Sequence, residues 1–379
     1  MGPRWRGGSQ VQASRRYSTA TGLSIIACLI ALVAPSLASA GTAQIEDPDP
    51  GGPHLTFTAG SGEANHLLLL LGFGGYRVVD LGAAITPGLG CTAVNSSEVF
   101  CAFTLVVEET PKVDIFLGDL NDFASIAPTF SNEATVDGGD GTDELEISSG
   151  CASEVVCKNL LRGGPGADIL RAVGAFARLD GGAGGDTMEG SDAEVDYRAR
   201  ANPVIVVGNG VADDGEAGEG DNVSPNVFLV LGGSAGDTFT DIDAAGRGGN
   251  DTFISTGARG VFGVGGSGDD VLIGGARADS CFGGPGEDDL NGGGGSDDLE
   301  GAGGADTIRG GPGRDFLFGG RGNDLLIGGD GREFEISGGR GADTLRARDG
   351  LRERVRGGRG SDRARVDSID VVSSIETFF

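Results

Sequence analysis

The sequence predicts an all-β protein, a parallel β-roll or β-solenoid preceded by a β-rich N-terminal cap. A nine-residue pattern, GGxGxDxΦx with Φ apolar, occurs nine times between Gly265 and Arg346. The chain also has 74 glycines among 379 residues and only 6% aromatic residues, too few to fill a large globular core. An elongated stack of turns and short strands fits this composition.

Each nonapeptide reads as a turn followed by a short strand. Glycine at positions 1, 2 and 4 adopts backbone conformations that other residues resist, and one apolar side chain in the strand points inward. The eighth copy, which starts at Gly328, has Glu333 in place of aspartate and Glu335 at the apolar position, and Ser337 is inserted before the ninth. The other eight copies have aspartate at position 6: Asp270, Asp279, Asp288, Asp297, Asp306, Asp315, Asp324 and Asp343.

These aspartates create a repulsion that a cation would offset. Stacked turns place carboxylates about 4.8 Å apart, which costs roughly 3.5 kcal/mol per neighbouring pair at an effective dielectric constant of about 20. Calcium accepts flexible sets of carboxylate and carbonyl oxygens more readily than magnesium does. We therefore expect the eight aspartates to bind several calcium ions.

The array resembles the RTX, or hemolysin-type calcium-binding, nonapeptide repeat of bacterial proteins. The resemblance implies a β-roll in which two nonapeptides form one turn and each ion lies between turns that are two repeats apart. It leaves the register after Ile336 open. The two edges of the roll would carry, in turn, Asp270, Asp288, Asp306 and Asp324, and Asp279, Asp297 and Asp315.

The start of the chain reads as a secretory signal peptide. Arginines precede an apolar run from Leu23 to Ala34, and Ala38-Ser39-Ala40 is a small-residue cleavage pattern. A membrane anchor is the alternative, but the run is short for a span. The mature protein would begin at Gly41, be secreted and have no membrane span.

Five segments follow from these patterns. They are a signal peptide at 1–40, a β-rich cap at 41–112, degenerate repeats at 113–264, the contiguous calcium-binding roll at 265–346, and an arginine-rich closing coil with a C-terminal cap at 347–379. The cap resembles the region that precedes the repeats in some actinobacterial RTX-type proteins, and the preference for arginine over lysine fits a GC-rich bacterial genome.

Weaker copies of the repeat precede the array. A strongly degenerate copy ends at Asp122. Five copies that match the pattern more closely have aspartate at position 6, at Asp143, Asp168, Asp186, Asp237 and Asp251. Because unequal interruptions separate them, we expect each copy to lack a stacked partner unless the intervening chain completes a coil.

An acidic stretch from Asp213 to Asp221 lies in the longest interruption, 191–230. Its spacing does not match the ligand positions of an EF-hand. We expect a solvated loop, and a loosely held ion is the alternative.

Cysteine spacing favours two local disulfides, Cys91 with Cys101 and Cys151 with Cys157. Four small buried residues without disulfides are the alternative. Cys281 stands at the apolar position of its repeat, so we expect it in the core.

Arginine recurs at nearly every second residue from Arg346 to Arg365, which predicts strands with arginine outward. The expected role is a cationic coil that offsets the acidic array, and an anion-binding strip for cell-wall polymer or extracellular DNA is the alternative. Apolar residues between Val371 and Phe379 would cover the open end of the roll.

The formal net charge of −28 excludes a general nucleic-acid binder. The only histidines are His54 and His66, and no known catalytic motif is present, so we expect no enzyme. The sequence predicts a secreted protein whose roll folds on binding Ca²⁺, an extracellular scaffold or adhesive surface protein with calcium ions and a surface polymer or surface protein as partners. The alternative is an RTX-containing extracellular hydrolase or epimerase with an unrecognised N-terminal site.

Overall fold

The structure is a computed structural model that describes residues 40–46, 53–72, 75–102, 112–127, 133–148, 158–257 and 259–379. The predicted signal peptide, apart from Ala40, and the predicted Cys151–Cys157 pair lie outside these residues. Within them, the regular secondary structure consists of β-strands alone, and no helix could span a membrane. The all-β class expected from the sequence is confirmed.

The strands are short and follow one another closely. The first nineteen are β1 (Gly41–Glu46), β2 (His54–Thr58), β3 (His66–Gly72), β4 (Gly75–Asp80), β5 (Ile85–Pro87), β6 (Cys91–Asn95), β7 (Glu98–Ala102), β8 (Lys112–Phe116), β9 (Phe123–Ala127), β10 (Glu133–Asp137), β11 (Glu144–Ile147), β12 (Asn159–Pro165), β13 (Ile169–Ala172), β14 (Ala177–Ala183), β15 (Thr187–Glu189), β16 (Ala193–Asp196), β17 (Val204–Val207), β18 (Gly215–Glu216) and β19 (Asn222–Val223).

The second half continues the same alternation to the end of the chain. Its strands are β20 (Leu229–Leu231), β21 (Thr238–Thr240), β22 (Ala244–Gly248), β23 (Thr252–Ile254), β24 (Phe262–Ser267), β25 (Val271–Ile273), β26 (Ser280–Pro285), β27 (Asp289–Asn291), β28 (Asp298–Gly303), β29 (Thr307–Arg309), β30 (Phe316–Arg321), β31 (Leu325–Ile327), β32 (Glu335–Gly341), β33 (Thr344–Ala347), β34 (Arg354–Gly360), β35 (Arg363–Val366), β36 (Val371–Ser373) and β37 (Thr377–Phe378).

Successive strands alternate between two facing walls of parallel strands. One wall is a single 17-stranded sheet, and the other consists of a nine-stranded sheet followed by an 11-stranded sheet. In the array each strand pairs with the strand two places later, so Phe262 lies beside Ser280 and Ser280 beside Asp298. Two nonapeptides thus form one turn, and the predicted parallel β-roll is confirmed.

The first coil begins at β2, inside the segment expected to be a cap. Strand β2 pairs in parallel with β8, and β3 pairs in parallel with β9. Strand β1 runs antiparallel to β2. The second wall is extended beyond β3 by β4, β7 and β6 in that order, each antiparallel to the strand before it. The Cys91–Cys101 disulfide joins opposed residues of β6 and β7, as the spacing favoured.

One inward side chain from each strand of the array fills the narrow core, whereas strands of the first coils such as β8 bury two, Val113 and Ile115. Cys281 and Leu299 stack along one wall and face buried leucines of the other, and the predicted core position of Cys281 is confirmed. Where Phe239 and Phe253 enter from the second wall, with ring centroids 4.9 Å apart, the first wall has Ala244 and Gly263. Large residues are therefore matched by small ones across the core.

The insertion in the eighth repeat lies before Ile336. Ile336 is fully buried between Leu317 and Val355, whereas Glu335 faces outward and pairs with arginines. The expectation that Glu335 breaks the apolar position is wrong, because an extra residue at Phe334 lets the chain bury isoleucine and keep the carboxylate outside the core, where it pairs with Arg354 and Arg356. The register after Ile336 is thereby settled.

The C-terminal coil extends both walls. Its strands alternate buried Val355 and Ala364 with exposed arginines, as predicted. Val372 packs partly against the core, but Phe378 and Phe379 are 59% and 55% exposed. The last two residues therefore do not cover the end of the roll as we expected.

Candidate metal centres

The position-6 aspartates form two rows, one along each edge of the roll. Each is at most 2% exposed and lies in the turn that precedes a strand. Main-chain N–H groups donate to Oδ1 of the next aspartate in the row. The distances are 2.9 Å for Asp270–Asp288, 3.0 Å for Asp288–Asp306, Asp306–Asp324 and Asp324–Asp343, and, in the other row, 2.9 Å for Asp279–Asp297 and 3.0 Å for Asp297–Asp315.

The second carboxylate oxygen, Oδ2, is buried without a hydrogen-bond partner in seven of these eight aspartates. In the remaining one, Asp279, Oδ2 accepts the N–H of Gly275 at 2.8 Å. A buried acceptor without a partner loses the free energy of its interaction with water, and a charged one loses more. These oxygens are therefore available to a cation.

Glycine at position 1 keeps open the space beside each Oδ2. A Cβ on Gly292 would lie 2.4 Å from Oδ2 of Asp297 and 2.8 Å from the carbonyl oxygen of Gly310. A Cβ on Gly319 would lie 2.4 Å from Oδ2 of Asp324. A carboxylate oxygen and a carbonyl oxygen of the next coil therefore face the same cradle. Such hard oxygen donors are the ligands that calcium prefers, so the residues fit this ion.

Burial raises the pKa of these carboxyl groups. It raises the pKa of Asp288 and Asp297 to about 7, and that of Asp270, Asp324 and Asp343 to about 6. The main-chain hydrogen bonds to Oδ1 oppose this effect, and neighbouring carboxylates add to it. Each row thus holds negative charge that the protein alone stabilises poorly.

The degenerate repeats carry the same contacts in two runs, one from Asn65 to Asp221 and one that starts at Asp237 and leads into the first row. The runs are not joined, because the N–H of Asp221 donates to the carbonyl oxygen of Asp214 and Oδ1 of Asp237 accepts the N–H of Val204. The N–H of Asp143 donates to Asp168 at 2.8 Å, and the N–H of Asp168 donates to Asp186 at 2.9 Å. The intervening chain completes a coil between these copies, which is the condition under which we expect them to have stacked partners. The other contacts are Asn65–Asp122, Asp122–Asp143, Asp186–Asp221, Asp237–Asp251 and Asp251–Asp270, at 2.6, 2.8, 2.9, 2.7 and 2.7 Å.

Two residues of the acidic stretch are buried, which corrects the prediction of a solvated loop. Asp214 and Asp221 are 2% and 0% exposed. Asp214 accepts main-chain N–H groups from Val207 and Val223, and the hydroxyl of Tyr197 donates to Oδ2 of Asp221 at 2.8 Å. Asp221 lies in the turn before β19, which pairs with β15, and it follows Asp186 in the same run of stacked aspartates. Asp213, in contrast, is exposed.

Asp362 extends the row beyond the aspartates singled out from the sequence. The N–H of Asp343 donates to its Oδ1 at 2.9 Å, and its own N–H donates to Glu376 at 2.7 Å. Residues 357–365, GGRGSDRAR, are a tenth copy of the nonapeptide. The glycines and the aspartate of this segment are the signal that identifies the copy, but its alternating arginines favour an arginine-rich closing coil.

The two histidines make structural contacts in and beside the first coil. A ring nitrogen of His54 hydrogen-bonds Asp114 at 2.7 Å, and the ring of His66 packs on Phe123 with centroids 4.5 Å apart.

Comparison with known protein families agrees with the geometry of the rows. A family model for the RTX calcium-binding nonapeptide repeat matches residues 264–299, 300–332 and 335–364, with four copies. The chain carries RTX calcium-binding repeats. The matched segments cover about a quarter of the chain and include all but the last residue of the tenth copy. A search of curated proteins finds no match.

Proposed function

We propose that this protein is a secreted, multi-site calcium-binding protein whose β-roll folds on binding Ca²⁺. The observation that carries the proposal is the pair of aspartate rows, in which Oδ2 of seven of the eight aspartates is buried, has no hydrogen-bond partner and faces a glycine cradle. The proposed ligands are the eight aspartates predicted from the sequence, with carbonyl oxygens of adjacent coils.

Electrostatics favours folding coupled to binding. A rise of the Asp297 pKa from 3.8 to about 7 corresponds to about 4 kcal/mol against the ionised form. Whole domains are stable by only about 5–15 kcal/mol, and at least five carboxyl groups of the roll have similar shifts. The ionised rows therefore disfavour the folded form near neutral pH. Bound calcium supplies the positive charge that makes the folded form stable.

Three features support secretion. The predicted mature N-terminus, Gly41, is the first residue of β1. The Cys91–Cys101 disulfide fits an oxidising compartment. Extracellular calcium sites bind at about 10⁻⁴–10⁻³ M, so the chain would remain unfolded in a calcium-poor cytoplasm and fold after export.

An extracellular scaffold or adhesive role fits the outward faces of the roll. Arg321, Arg340 and Arg359 lie in register on three successive coils and are exposed. Adjacent strands are about 4.8 Å apart, so the row offers evenly spaced positive charge to an anionic surface polymer or an acidic surface protein.

Two measurements test calcium-coupled folding. Far-UV circular dichroism of the mature chain should show a gain of β-structure when calcium replaces chelator, and equilibrium dialysis should find four or more bound ions. Identical spectra contradict coupled folding, and fewer than four ions contradict a multi-site array. The enzymatic alternative is tested by substrate screening: turnover that His66→Ala abolishes would overturn the scaffold role.

A further inference from the structure

Three carboxylates form a separate cluster near the C-terminal end of the second row. One oxygen from each of Glu333, Asp349 and Glu353 lies within 4.8 Å of the others. Glu333 takes the aspartate position of the eighth repeat. Glu353 lies two residues before Val355, which pairs with Ile336 of the neighbouring coil. Asp349 lies in the turn between β33 and β34.

This cluster differs from the nonapeptide cradles. A Cβ on Gly328 would meet the carboxyl carbon Cδ of Glu333 at 2.9 Å, whereas the equivalent contact in the other repeats is with an aspartate oxygen. The longer glutamate side chain therefore passes the glycine and carries its oxygens beyond the cradle. It reaches the turn that contains Asp349, which the nonapeptide pattern does not supply.

The buried oxygens of the cluster point to a missing ligand. Glu333 and Glu353 are 3% and 2% exposed. Oε1 of Glu333 and both carboxylate oxygens of Glu353 accept no hydrogen bond in the part of the chain that is described. Asp349 is held in place, because its Oδ2 accepts the N–H of Gly331 at 3.1 Å and its Oδ1 that of Leu351 at 2.8 Å.

Nearby arginines do not neutralise the cluster. Four of them line the adjoining cavity, but three have other contacts that explain their positions. Arg314 stacks over the ring of Phe334, and Arg354 pairs with Glu335. Arg332 donates to the carbonyl oxygen of Arg352. Another carboxylate, Asp370, adds negative charge, since it accepts the N–H of Glu353 at 3.1 Å.

We propose that Glu333, Asp349 and Glu353 bind one calcium ion through side chains. Oxygens up to 4.8 Å apart can be bridged by an ion with ligand distances of about 2.3–2.6 Å, whereas magnesium, at about 2.0–2.1 Å, requires them to be closer. The site goes beyond the proposed function because it uses none of the eight row aspartates. It ties the coil of the eighth repeat to the arginine-rich coil that follows.

The test compares the full mature chain with Glu333→Gln/Glu353→Gln and with the control Glu335→Gln, whose carboxylate is outward and paired with Arg354 and Arg356. Equilibrium dialysis at saturating calcium should show one ion fewer in the double variant only. Calcium should also protect the bonds after Arg348 and Arg352 from trypsin in wild type and control but not in the double variant.

An ion count equal to that of the control would overturn the proposal. If the double variant fails to fold, Asp349→Asn replaces it, since Asp349 lies in a turn and is only partly buried; an unchanged count in that variant also overturns the site. A wild type that binds no calcium refutes the proposed function itself, whereas normal array binding with unchanged variants refutes the cluster alone.

Discussion

Replacing Asp297 by asparagine separates two effects of a row aspartate, the cost of its buried charge in the calcium-free protein and its contribution to calcium binding. The side chain keeps its size, and its Oδ1 can still accept the N–H of Asp279, now 2.9 Å away. The negative charge is lost. We expect the calcium-free protein to become more ordered and the calcium concentration at the folding midpoint to rise.

The size of the first effect follows from the pKa of Asp297, which burial raises from 3.8 to about 7. Between these values the folded state binds more protons than the unfolded state, so stability falls as pH rises. Below about pH 4 the Asp297 carboxyl group is protonated in both states and does not lower the stability of the wild type. By pH 7 and above, its ionisation lowers the free energy of unfolding by about 4 kcal/mol. The asparagine variant avoids that loss.

Circular dichroism in calcium-stripped buffer, recorded from pH 4 to pH 8, measures this effect. The pH at which wild-type β-signal is lost should move upward in Asp297→Asn, and the two proteins should agree near pH 4. Asp298→Asn is the matched control, because this neighbouring carboxylate is exposed on β28.

Calcium titration at pH 8 completes the comparison. Asp297→Asn should have a higher midpoint than wild type, and Asp298→Asn should not. Equal pH profiles and equal calcium midpoints for the two variants would refute the assignment of the buried row as the charged calcium ligand set.

Three further outcomes follow. Asp168→Asn should raise the calcium midpoint as well, because Asp168 is stacked between Asp143 and Asp186 as the aspartates of the array are stacked on one another; an unchanged midpoint would restrict cooperative folding to the contiguous repeats. Gly292→Ala should raise the midpoint strongly, since its Cβ would lie 2.4 Å from the aspartate Oδ2 of its repeat, whereas Gly303→Ala has no atom within 4 Å and should match wild type in the same titration. Cys91→Ser/Cys101→Ser should lower the stability of the calcium-loaded form by about 2–3 kcal/mol, seen as a lower melting temperature, and an unchanged melting temperature would contradict a stabilising disulfide.

Local pattern was sufficient for the regular part of the roll. Glycine sets the turn, and the apolar residue two positions after the aspartate sets the inward face, so Leu272 and Leu290 fall in the core where the sequence predicts. A repeat of constant length also fixes which aspartates share an edge, because every second copy lies in the same wall.

Irregular spacing hides the stacked aspartates of the degenerate repeats. Consecutive members are separated by 21 residues at Asp122–Asp143, 25 at Asp143–Asp168 and 35 at Asp186–Asp221. A coil closes when its strand pairs with the previous one and buries its apolar side chain, whatever the length of the intervening loop. A constant repeat length therefore cannot identify these copies as stacked.

The sequence by itself determined the repeat, its all-β roll and the aspartates that line its edges, because these depend on residues within one nonapeptide and its nearest copy. Only the tertiary structure decided that Asp221 is buried, that Ile336 and not Glu335 enters the core, and that Glu333, Asp349 and Glu353 meet. These outcomes depend on which side chains adjacent coils leave in water and which they enclose. That choice is made by packing between distant segments and has no signature within a single repeat.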